Sequence, residues 1–274
     1  MNRESEVLEQ IAAGIGCIRT QKPLVHHITN YISINDCANV TLAIGASPIM
    51  ANDPEEVAEV VSQSAVLVLN LGTPNTRMLE SMMVAGKQAN ALGIPVIFDP
   101  VGVGLTRVRT RTVEQLLLGV RLAAVRGNLA EIARMAGIFT AMRGLDSLVG
   151  EENAADIALQ AAAKMGCLVA ATGATDFISD GRNVCRLGNG DPMLSRVTGT
   201  GCMTTSLVAS CCGAMGASLS SVTAGVMFMG IAGEIARAAL RQGEGTGTFR
   251  ARLLDAVSNL TAEDVMERGR WIVE

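Results

Sequence analysis

The sequence predicts an α/β fold built on a mostly parallel β-sheet. Four short runs of apolar residues, at 65–71, 94–98, 122–125 and 167–171, are typical of strands buried on both faces. Helical segments lie between them, and this alternation is typical of parallel sheets covered by helices. The chain has 274 residues, of which 49% are hydrophobic and 18% charged, so it can form a large core.

Capping and turn residues bound the elements in the first part of the chain. Ser5 is a candidate N-cap for an amphipathic helix, and Asp53 is a candidate N-cap for a helix whose first residue is Pro54. Gly72 ends the first apolar run, and Gly93 ends the helix that follows it. The helices predicted here cover 6–18, 36–42, 54–63 and 76–92, with a turn at 45–48.

The later elements follow the same pattern. We predict helices over 113–118, 129–135 and 154–165. Asp180-Gly181, between the segments 176–179 and 184–187, is a hairpin signal. The sequence contains no internal repeat or low-complexity linker, so we expect a single domain over 1–274.

Residues 197–233 carry no charged side chain and form a segment long enough to cross a membrane. Gly213, Gly216 and Ser218 interrupt the segment near its middle, so two buried helices joined by a short turn fit it better. A helix that is apolar all round is buried in a large protein or in an oligomer. The segment therefore favours a homo-oligomer and argues against a membrane partner.

Composition excludes several other classes of protein. A net charge of −4, a pI near 5.4 and only 3% aromatic residues argue against a nucleic-acid partner. The seven cysteines include no Cys-x-x-Cys pair, so neither a disulfide framework nor a zinc site is expected. The first residues are polar and form no signal peptide, which together with reduced thiols predicts a cytoplasmic protein.

The segment Gly199-Thr-Gly-Cys202 opens the uncharged region. Glycines at the mouth of a helix leave backbone N–H groups accessible to an anion, and here a thiol lies among them. The segment is not a P-loop, because no Lys-Ser/Thr follows the glycines. It predicts phosphoryl transfer to a small molecule; the alternative is a tight turn into a buried helix with Cys202 as a small core residue.

Polar residues follow the predicted strands, at 72–73, 99, 126–128 and 172–173. Ligands of open α/β sheets bind at the carboxyl ends of the strands, so these groups are expected to converge. Asp99 is a candidate contact to Mg²⁺, Arg126 to a phosphate or carboxylate, and Thr172 to a phosphate. Judged singly, each residue also has a structural explanation, as a turn residue, a solvated charge or a strand end.

Asn128 and Glu131 have the spacing of a capping box, in which each side chain accepts a backbone N–H of the other. The functional alternative places Glu131 near a metal and a triphosphate. His26 and His27 are more simply explained as buried histidines with backbone partners than as catalytic groups. Met50 has two interpretations, a core filler or the lining of an apolar pocket, and Asn30 is explained by a turn.

Taken together, six motifs in this order resemble the hydroxyethylthiazole kinase family over nearly the whole chain, from Pro23 to about 254. Each motif is weak alone, whereas the ordered set is specific. The motifs are Pro-Leu-Val-His-x-Ile-Thr-Asn (23–30), Gly-Ala-Ser-Pro-Ile-Met (45–50), Asp-Pro-Val-Gly (99–102), Arg-Gly-Asn-x-x-Glu (126–131), Thr-Gly (172–173) and Val-Thr-Gly-Thr-Gly-Cys (197–202).

The resemblance implies a ribokinase-like fold without a lid domain, and a homotrimer with active sites between subunits. It implies ATP-dependent phosphorylation of the hydroxyl of 4-methyl-5-(2-hydroxyethyl)thiazole in thiamine salvage. Carried over by motif, the implied contacts fall into three sets. These are the thiazole with Met50, Gly199 and Asn30; ATP with Arg126 and Thr172; and Mg²⁺, directly or through water, with Asp99 and Glu131.

Cys202 stands where related sugar kinases carry an aspartate base. A free thiol has a pKa near ~8.5, and a position at a helix N-terminus is expected to lower it and so to weaken the thiolate as a base. Phosphoryl transfer asks little of a base, so Cys202 is expected to help without being indispensable. Ala174 replaces the glutamate that the family often has after Thr-Gly, which predicts a weaker nucleotide site.

Two other functions remain open from the residues alone. One is a hydrolase or acyltransferase with Cys202 as nucleophile and His26 as base, which requires the two side chains to meet. The other is a nucleotide-binding relative without turnover, for which Ala174 is the only argument.

Overall fold

The computed structural model of the protein describes residues 3–138 and 153–273. In these ranges nine strands form one sheet, in the order β2-β1-β3-β4-β5-β6-β7-β8-β9. The pairs from β2 to β6 are parallel, and β7, β8 and β9 add antiparallel strands at one edge. The strands are β1 (Leu24–Ile28), β2 (Ser47–Ile49), β3 (Val66–Asn70), β4 (Val96–Asp99), β5 (Ala124–Asn128), β6 (Leu168–Thr172), β7 (Asp176–Ser179), β8 (Val184–Leu187) and β9 (Trp271–Val273). The predicted mostly parallel α/β sheet is confirmed.

The helices cover both faces of this sheet. They are α1 (Arg3–Gln21), α2 (Ile34–Ile44), α3 (Val57–Ser62), α4 (Thr76–Leu92), α5 (Arg107–Gly119), α6 (Leu129–Met135), α7 (Ala154–Met165), α8 (Thr200–Met215), α9 (Leu219–Ala238), α10 (Thr246–Asn259) and α11 (Ala262–Arg268). A short 3₁₀ helix spans Pro192–Arg196. No part of the described chain folds into a separate lid over the sheet.

Alternating strand residues divide the core into two layers. Val66 and Val68 of β3 pack with α1, α8 and α9, whereas Leu67 and Leu69 pack on the opposite face with α3 and α4. Strands buried on both faces need apolar residues on both sides, which is why the core strands read as continuous apolar runs.

The uncharged segment forms α8 and α9, as predicted, with a turn at Gly216. The helices touch so closely that a Cβ at Gly225 would lie 2.4 Å from the backbone N and Cα of Val208. Helix α9 is long and apolar enough to cross a membrane, but 78% of its apolar stretch is buried inside the fold. Its apolar character therefore serves the core.

Two predicted helix starts are wrong. Ser5 lies inside α1, which begins at Arg3. Asp53 does not cap a helix at Pro54: its Oδ1 accepts the N–H of Glu55 in a turn, and α3 begins at Val57. In the second case a local side-chain hydrogen bond to the backbone favours a turn over a helical start.

Several further elements have no clear signal in the sequence. Strand β1 contains two histidines, and β2 has only three residues including Pro48, so neither shows an apolar strand pattern. Helices α10 and α11 and strand β9 were likewise not predicted. The predicted hairpin at 176–187 is confirmed as β7 and β8.

Candidate active site

The carboxyl ends of β1, β3, β4, β5 and β6 meet the N-terminus of α8. Parallel register places Asn70 beside Asp99 and Asn128 beside Thr172 at this edge. The expected convergence of polar residues at one edge is confirmed by these contacts. It arises because every parallel strand ends in the same direction.

Asn70 links the strand ends to the thiol of Cys202. Its Nδ2 donates to Asp99 Oδ2 at 2.9 Å and to Cys202 Sγ at 3.2 Å. Its Oδ1 accepts from Asn30 Nδ2 at 2.8 Å and from the N–H of Gly72 at 2.9 Å. All four hydrogen-bonding positions of this buried amide are used, which fixes its orientation. Sequence reasoning missed Asn70; the only signal was a polar residue inside an apolar run.

Asn30 provides a second amide donor to the sulfur of Cys202. Its Nδ2 also donates to Cys202 Sγ at 3.5 Å, and its Oδ1 accepts the N–H groups of Ile32 and Ser33. Two amide N–H groups, from Asn30 and Asn70, therefore point at the sulfur. Cys202 accepts hydrogen bonds here and lies at the junction of α8 with the strand ends.

The pKa of the Cys202 thiol is raised. Burial is the main cause, and the nearby carboxylate of Asp99 adds to it, outweighing the hydrogen bonds from Ser33, Asn70 and Asn30. The expectation that the helix N-terminus lowers this pKa is wrong, because desolvation is stronger here. The thiol is therefore protonated at neutral pH.

Asp99 is buried, with 1% of its surface exposed. Its Oδ2 accepts from Asn70 and from the hydroxyl of Thr205 at 2.9 Å, whereas its Oδ1 has no hydrogen-bond partner in the described chain. Burial raises its pKa to about 6, although Arg126, 4.0 Å away, acts in the opposite direction. A buried carboxylate with one free oxygen is suited to a cation or a ligand hydroxyl.

Arg126 belongs to β5, and its side chain reaches the start of α8. Its guanidinium donates to the hydroxyl of Thr172, and its Nε is buried without a partner among the described residues. A Cβ at position 201 would lie 2.6 Å from Nη1 of Arg126, so Gly201 is required for this approach. The charge is thus held at the mouth of α8.

Glu131 forms the predicted capping box. Its Oε2 accepts the N–H of Asn128 at 2.9 Å, and Asn128 Oδ1 accepts the N–H of Glu131 at the same distance. Its Oε1 accepts the N–H of Gly102 at 2.7 Å in the loop after β4. Both oxygens are engaged, so Glu131 fixes that loop and keeps only its remaining lone pairs for another ligand.

The N-terminus of α8 is open. Gly199 precedes it with φ +88°, a conformation that favours glycine, and supplies no side-chain cap. The hydroxyl of Thr200 donates back to the carbonyl of Leu194. The first N–H groups of the helix therefore have no side-chain cap and favour an anion.

A cavity of about 470 Å³ lies beside this helix N-terminus. Arg126, Thr172 and Gly201 line it and contact one another, and we call this part of the lining the polar end. Val226 and Met229 of α9 also line it, together with a loop that packs on α9 at Gly230 and that the sequence did not indicate; we call this part the apolar end. The cavity lining also includes Gly173, Ala174, Asp176, Asn189, Gly190, Asp191, Pro192, Leu194 and Thr200.

A carboxylate lines this cavity close to Ala174. Oδ1 of Asp176 accepts the N–H of Gly173 at 2.9 Å and so holds the turn after β6. The side chain is buried, and burial raises its pKa to about 6. Sequence reasoning placed Asp176 in a hairpin strand and gave it no role.

The cysteine hydrolase alternative lacks its required contact. His26 Nε2 bonds to the carbonyl of Ala51 at 2.9 Å. The neighbouring His27 contacts Ser206 of α8, so the alternation of β1 turns His26 toward the opposite face of the sheet from Cys202. Met50 directly follows β2 at the same edge as the site and is partly buried.

Together, fold and site define a class: an α/β protein with a helix N-terminus that has no side-chain cap and a buried carboxylate at the carboxyl edge of its sheet. The fold is ribokinase-like; a ribokinase-like superfamily protein from Enterococcus faecalis superposes with a TM-score of 0.62, covering 92% of this chain and 93% of its own at 13% identity. The sequence matches the Hydroxyethylthiazole kinase family over residues 15–263. The chain belongs to this family.

Individual relatives agree with the family match. The hydroxyethylthiazole kinase of Ruminiclostridium cellulolyticum is 49% identical, covering 97% of this chain and 98% of the relative. The structure of the hydroxyethylthiazole kinase protein from Pyrococcus horikoshii superposes with a TM-score of 0.87 at 34% identity, covering 97% of this chain and 99% of its own. The resemblance inferred from the six motifs is confirmed.

Proposed function

We propose that the protein transfers a phosphoryl group from ATP to the primary alcohol of 4-methyl-5-(2-hydroxyethyl)thiazole. The observation that carries this proposal is the cavity that begins at the open N-terminus of α8 and Arg126, next to Asp99 and Cys202. The family match supplies the substrate, and a kinase of this family uses ATP.

The triphosphate binds at the polar end of the cavity. N–H groups of α8, the guanidinium of Arg126 and the hydroxyl of Thr172 donate to its oxygens. Asp99 fits a Mg²⁺ contact because its Oδ1 has no other partner in the described chain, and Glu131 is suited to a contact through water. Bound there with the phosphates, Mg²⁺ would supply charge neutralisation for phosphoryl transfer.

The thiazole alcohol binds against Asn30, Met50 and Gly199, with its hydroxyl beside Cys202. The sulfur accepts two amide N–H groups and the thiol is protonated, so Cys202 orients the alcohol and is a poor proton acceptor. Positioning and charge neutralisation carry most of this reaction, which is compatible with a neutral thiol.

The proposed active form is a cytoplasmic, single-domain homotrimer with sites between subunits. Tyr31 and Ile32 follow Asn30 directly and are 74% and 58% exposed, so apolar surface adjoins the site. A partner subunit would cover such surface. Light scattering that gives a monomer mass at assay concentration would contradict this assembly.

The test is release of ADP by purified protein with MgATP, with and without the thiazole alcohol. Thiazole-dependent release that stops when Mg²⁺ is chelated is the expected result. Arg126→Gln should lower kcat/KM by about a hundredfold, because a donor to the transferring group is lost. Arg186→Gln, an exposed arginine on β8, is the matched control and should be neutral. Absence of release with any alcohol from a folded protein would overturn the proposal.

A further inference from the structure

The loop 188–191 lines the apolar end of the cavity and is held in place by side chains that do not themselves line the cavity. Asn189, Gly190 and Asp191 of this loop line the cavity. The loop lies directly on α9: a Cβ at Gly230 would be 2.8 Å from the carbonyl oxygen of Asn189. Its position therefore sets the width of the cavity at that end.

Glu234, one turn after Gly230 on α9, holds the loop through its carboxylate. Oε1 accepts Nδ2 of Asn189 at 3.2 Å and the N–H of Gly190 at 2.8 Å. The same carboxylate pairs with Arg270, whose Nη2 lies 2.6 Å from Oε1 and whose Nη1 lies 3.2 Å from Oε2. Two donors from the loop and one guanidinium thus share one anion.

Arg270 returns to the loop at a second point. Its Nη2 donates to the carbonyl of Gly188 at 2.6 Å, and its backbone N–H donates to Oδ1 of Asn189 at 2.8 Å. Asn189 is 4% exposed and also donates to the carbonyl of Arg268 at 2.9 Å. The segment before β9 and helix α9 therefore fix the loop between them.

We propose that the Glu234–Arg270 ion pair positions the 188–191 loop for the nucleoside part of ATP. Neither side chain lines the cavity, so both act through Asn189 and Gly190. The polar end with Arg126 takes the phosphates. The end with Pro192, Val226 and Met229 offers apolar surface suited to a purine. A loop ordered in advance spares the nucleotide the entropic cost of ordering it.

This inference rests on the proposed ATP site, and its effect is confined to nucleoside binding. Glu234→Gln keeps the shape of the side chain and removes the charge. We expect KM for ATP to rise about tenfold, the size of one lost charge-assisted contact. The kcat and the KM for the alcohol should stay within about twofold, because the phosphate end is untouched.

Two ligands, ADP and inorganic tripolyphosphate, distinguish nucleoside binding from phosphate binding. Calorimetric affinity for ADP should fall by the same factor as KM for ATP rises, whereas competitive inhibition by inorganic tripolyphosphate should be unchanged. Calorimetry with ADP needs no turnover, so it tests the inference even if the thiazole alcohol is not the substrate. An equal loss of affinity for ADP and for tripolyphosphate would overturn the inference. A fall in kcat at constant KM for ATP would also overturn it.

The chain offers a matched control. Glu244 pairs with Arg252 at 2.9 Å, with both side chains 26% exposed, and neither lines the cavity. Glu244→Gln should leave ADP affinity and KM unchanged; a rise equal to that of Glu234→Gln would overturn the inference. If Glu234→Gln does not fold, Arg270→Lys carries the test, because it keeps the charge and loses the forked contact. A smaller rise in KM for ATP is then expected. An unchanged KM for ATP would overturn the inference.

Discussion

Replacement of Asp176 by asparagine is expected to stabilise the protein at neutral pH. The carboxyl group is 8% exposed, and burial raises its pKa from 3.8 to about 6, against the smaller opposing effects of the Gly173 N–H and Arg126. Asparagine keeps an oxygen that can accept the N–H of Gly173, now 2.9 Å from Oδ1. The substitution therefore removes the ionisation and leaves the turn after β6 in place.

The magnitude follows from the difference in proton binding. Between pH 3.8 and about 6 the folded Asp176 holds its proton more tightly than the unfolded one, so the free energy of unfolding falls as pH rises. Integration gives a destabilisation of about 2 kcal/mol at pH 5 and about 3 kcal/mol at pH 7.5. The advantage of Asp176→Asn over the wild type should therefore grow by about 1 kcal/mol between these pH values.

Urea unfolding measures this difference. The chain has one tryptophan, Trp271, which packs against the core in β9 and reports unfolding by its fluorescence. Wild type and variant are compared at pH 5, 6 and 7.5 at one protein concentration, so the titrations of other groups, including His27 and Asp99, cancel in the difference. A difference that is constant or shrinks with rising pH would refute the reasoning.

Asp180→Asn is the matched control in the same hairpin. Burial alone would raise the pKa of Asp180, but the N–H groups of Asn183 and Arg182 outweigh it and lower that pKa. The carboxylate is therefore favoured in the folded state, and Asp180→Asn should lose stability relative to wild type as pH rises. If the stability of both variants relative to the wild type changed in the same direction with rising pH, hairpin geometry, and not burial of charge, would control the result.

Three further outcomes are expected. Cys202→Asp should keep or raise turnover measured by ADP release, since two amide N–H groups already point at this position; complete loss with normal ADP binding would contradict this. His27→Gln should make the free energy of unfolding, measured in urea, less sensitive to acid. Burial lowers the pKa of His27 to about 4, so the wild type loses up to about 3 kcal/mol of that free energy as pH falls from 6.5 to 4. A variant with the same pH profile as the wild type would oppose this explanation. Gly225→Ala should abolish soluble folding, because the added Cβ would lie 2.4 Å from the backbone of Val208. Gly247→Ala, where an added Cβ on α10 meets open space, should stabilise the protein by about 0.5–1 kcal/mol in thermal melts. Similar effects of the two substitutions would be inconsistent with the packing.

The central strands were predictable because both faces of the sheet are buried. Strands β3 and β6 need apolar residues at every position before their last residue, and this leaves a signal in a short window. Strand β1 has no such signal, because His27 is accommodated by a contact with Ser206, 179 residues away. Local windows cannot contain a contact of that kind.

The candidate site shows the same division. Asp99, Arg126 and Thr172 could be selected because residues that follow parallel strands share one edge. Asn70 could not be singled out, since its importance lies in four contacts from separate segments. The direction of the Cys202 pKa was also mispredicted, because burial is a property of the assembled fold.

The sequence by itself determined the α/β class, the paired uncharged helices and the family, because these depend on periodicity, composition and ordered local motifs. Only the tertiary structure decided that one oxygen of Asp99 has no partner within 3–138 and 153–273, that Cys202 accepts two amide N–H groups, and that Glu234 holds a loop that lines the cavity. Hydrogen bonding and desolvation act over a few ångströms in space, and the residues concerned lie tens to hundreds of positions apart along the chain.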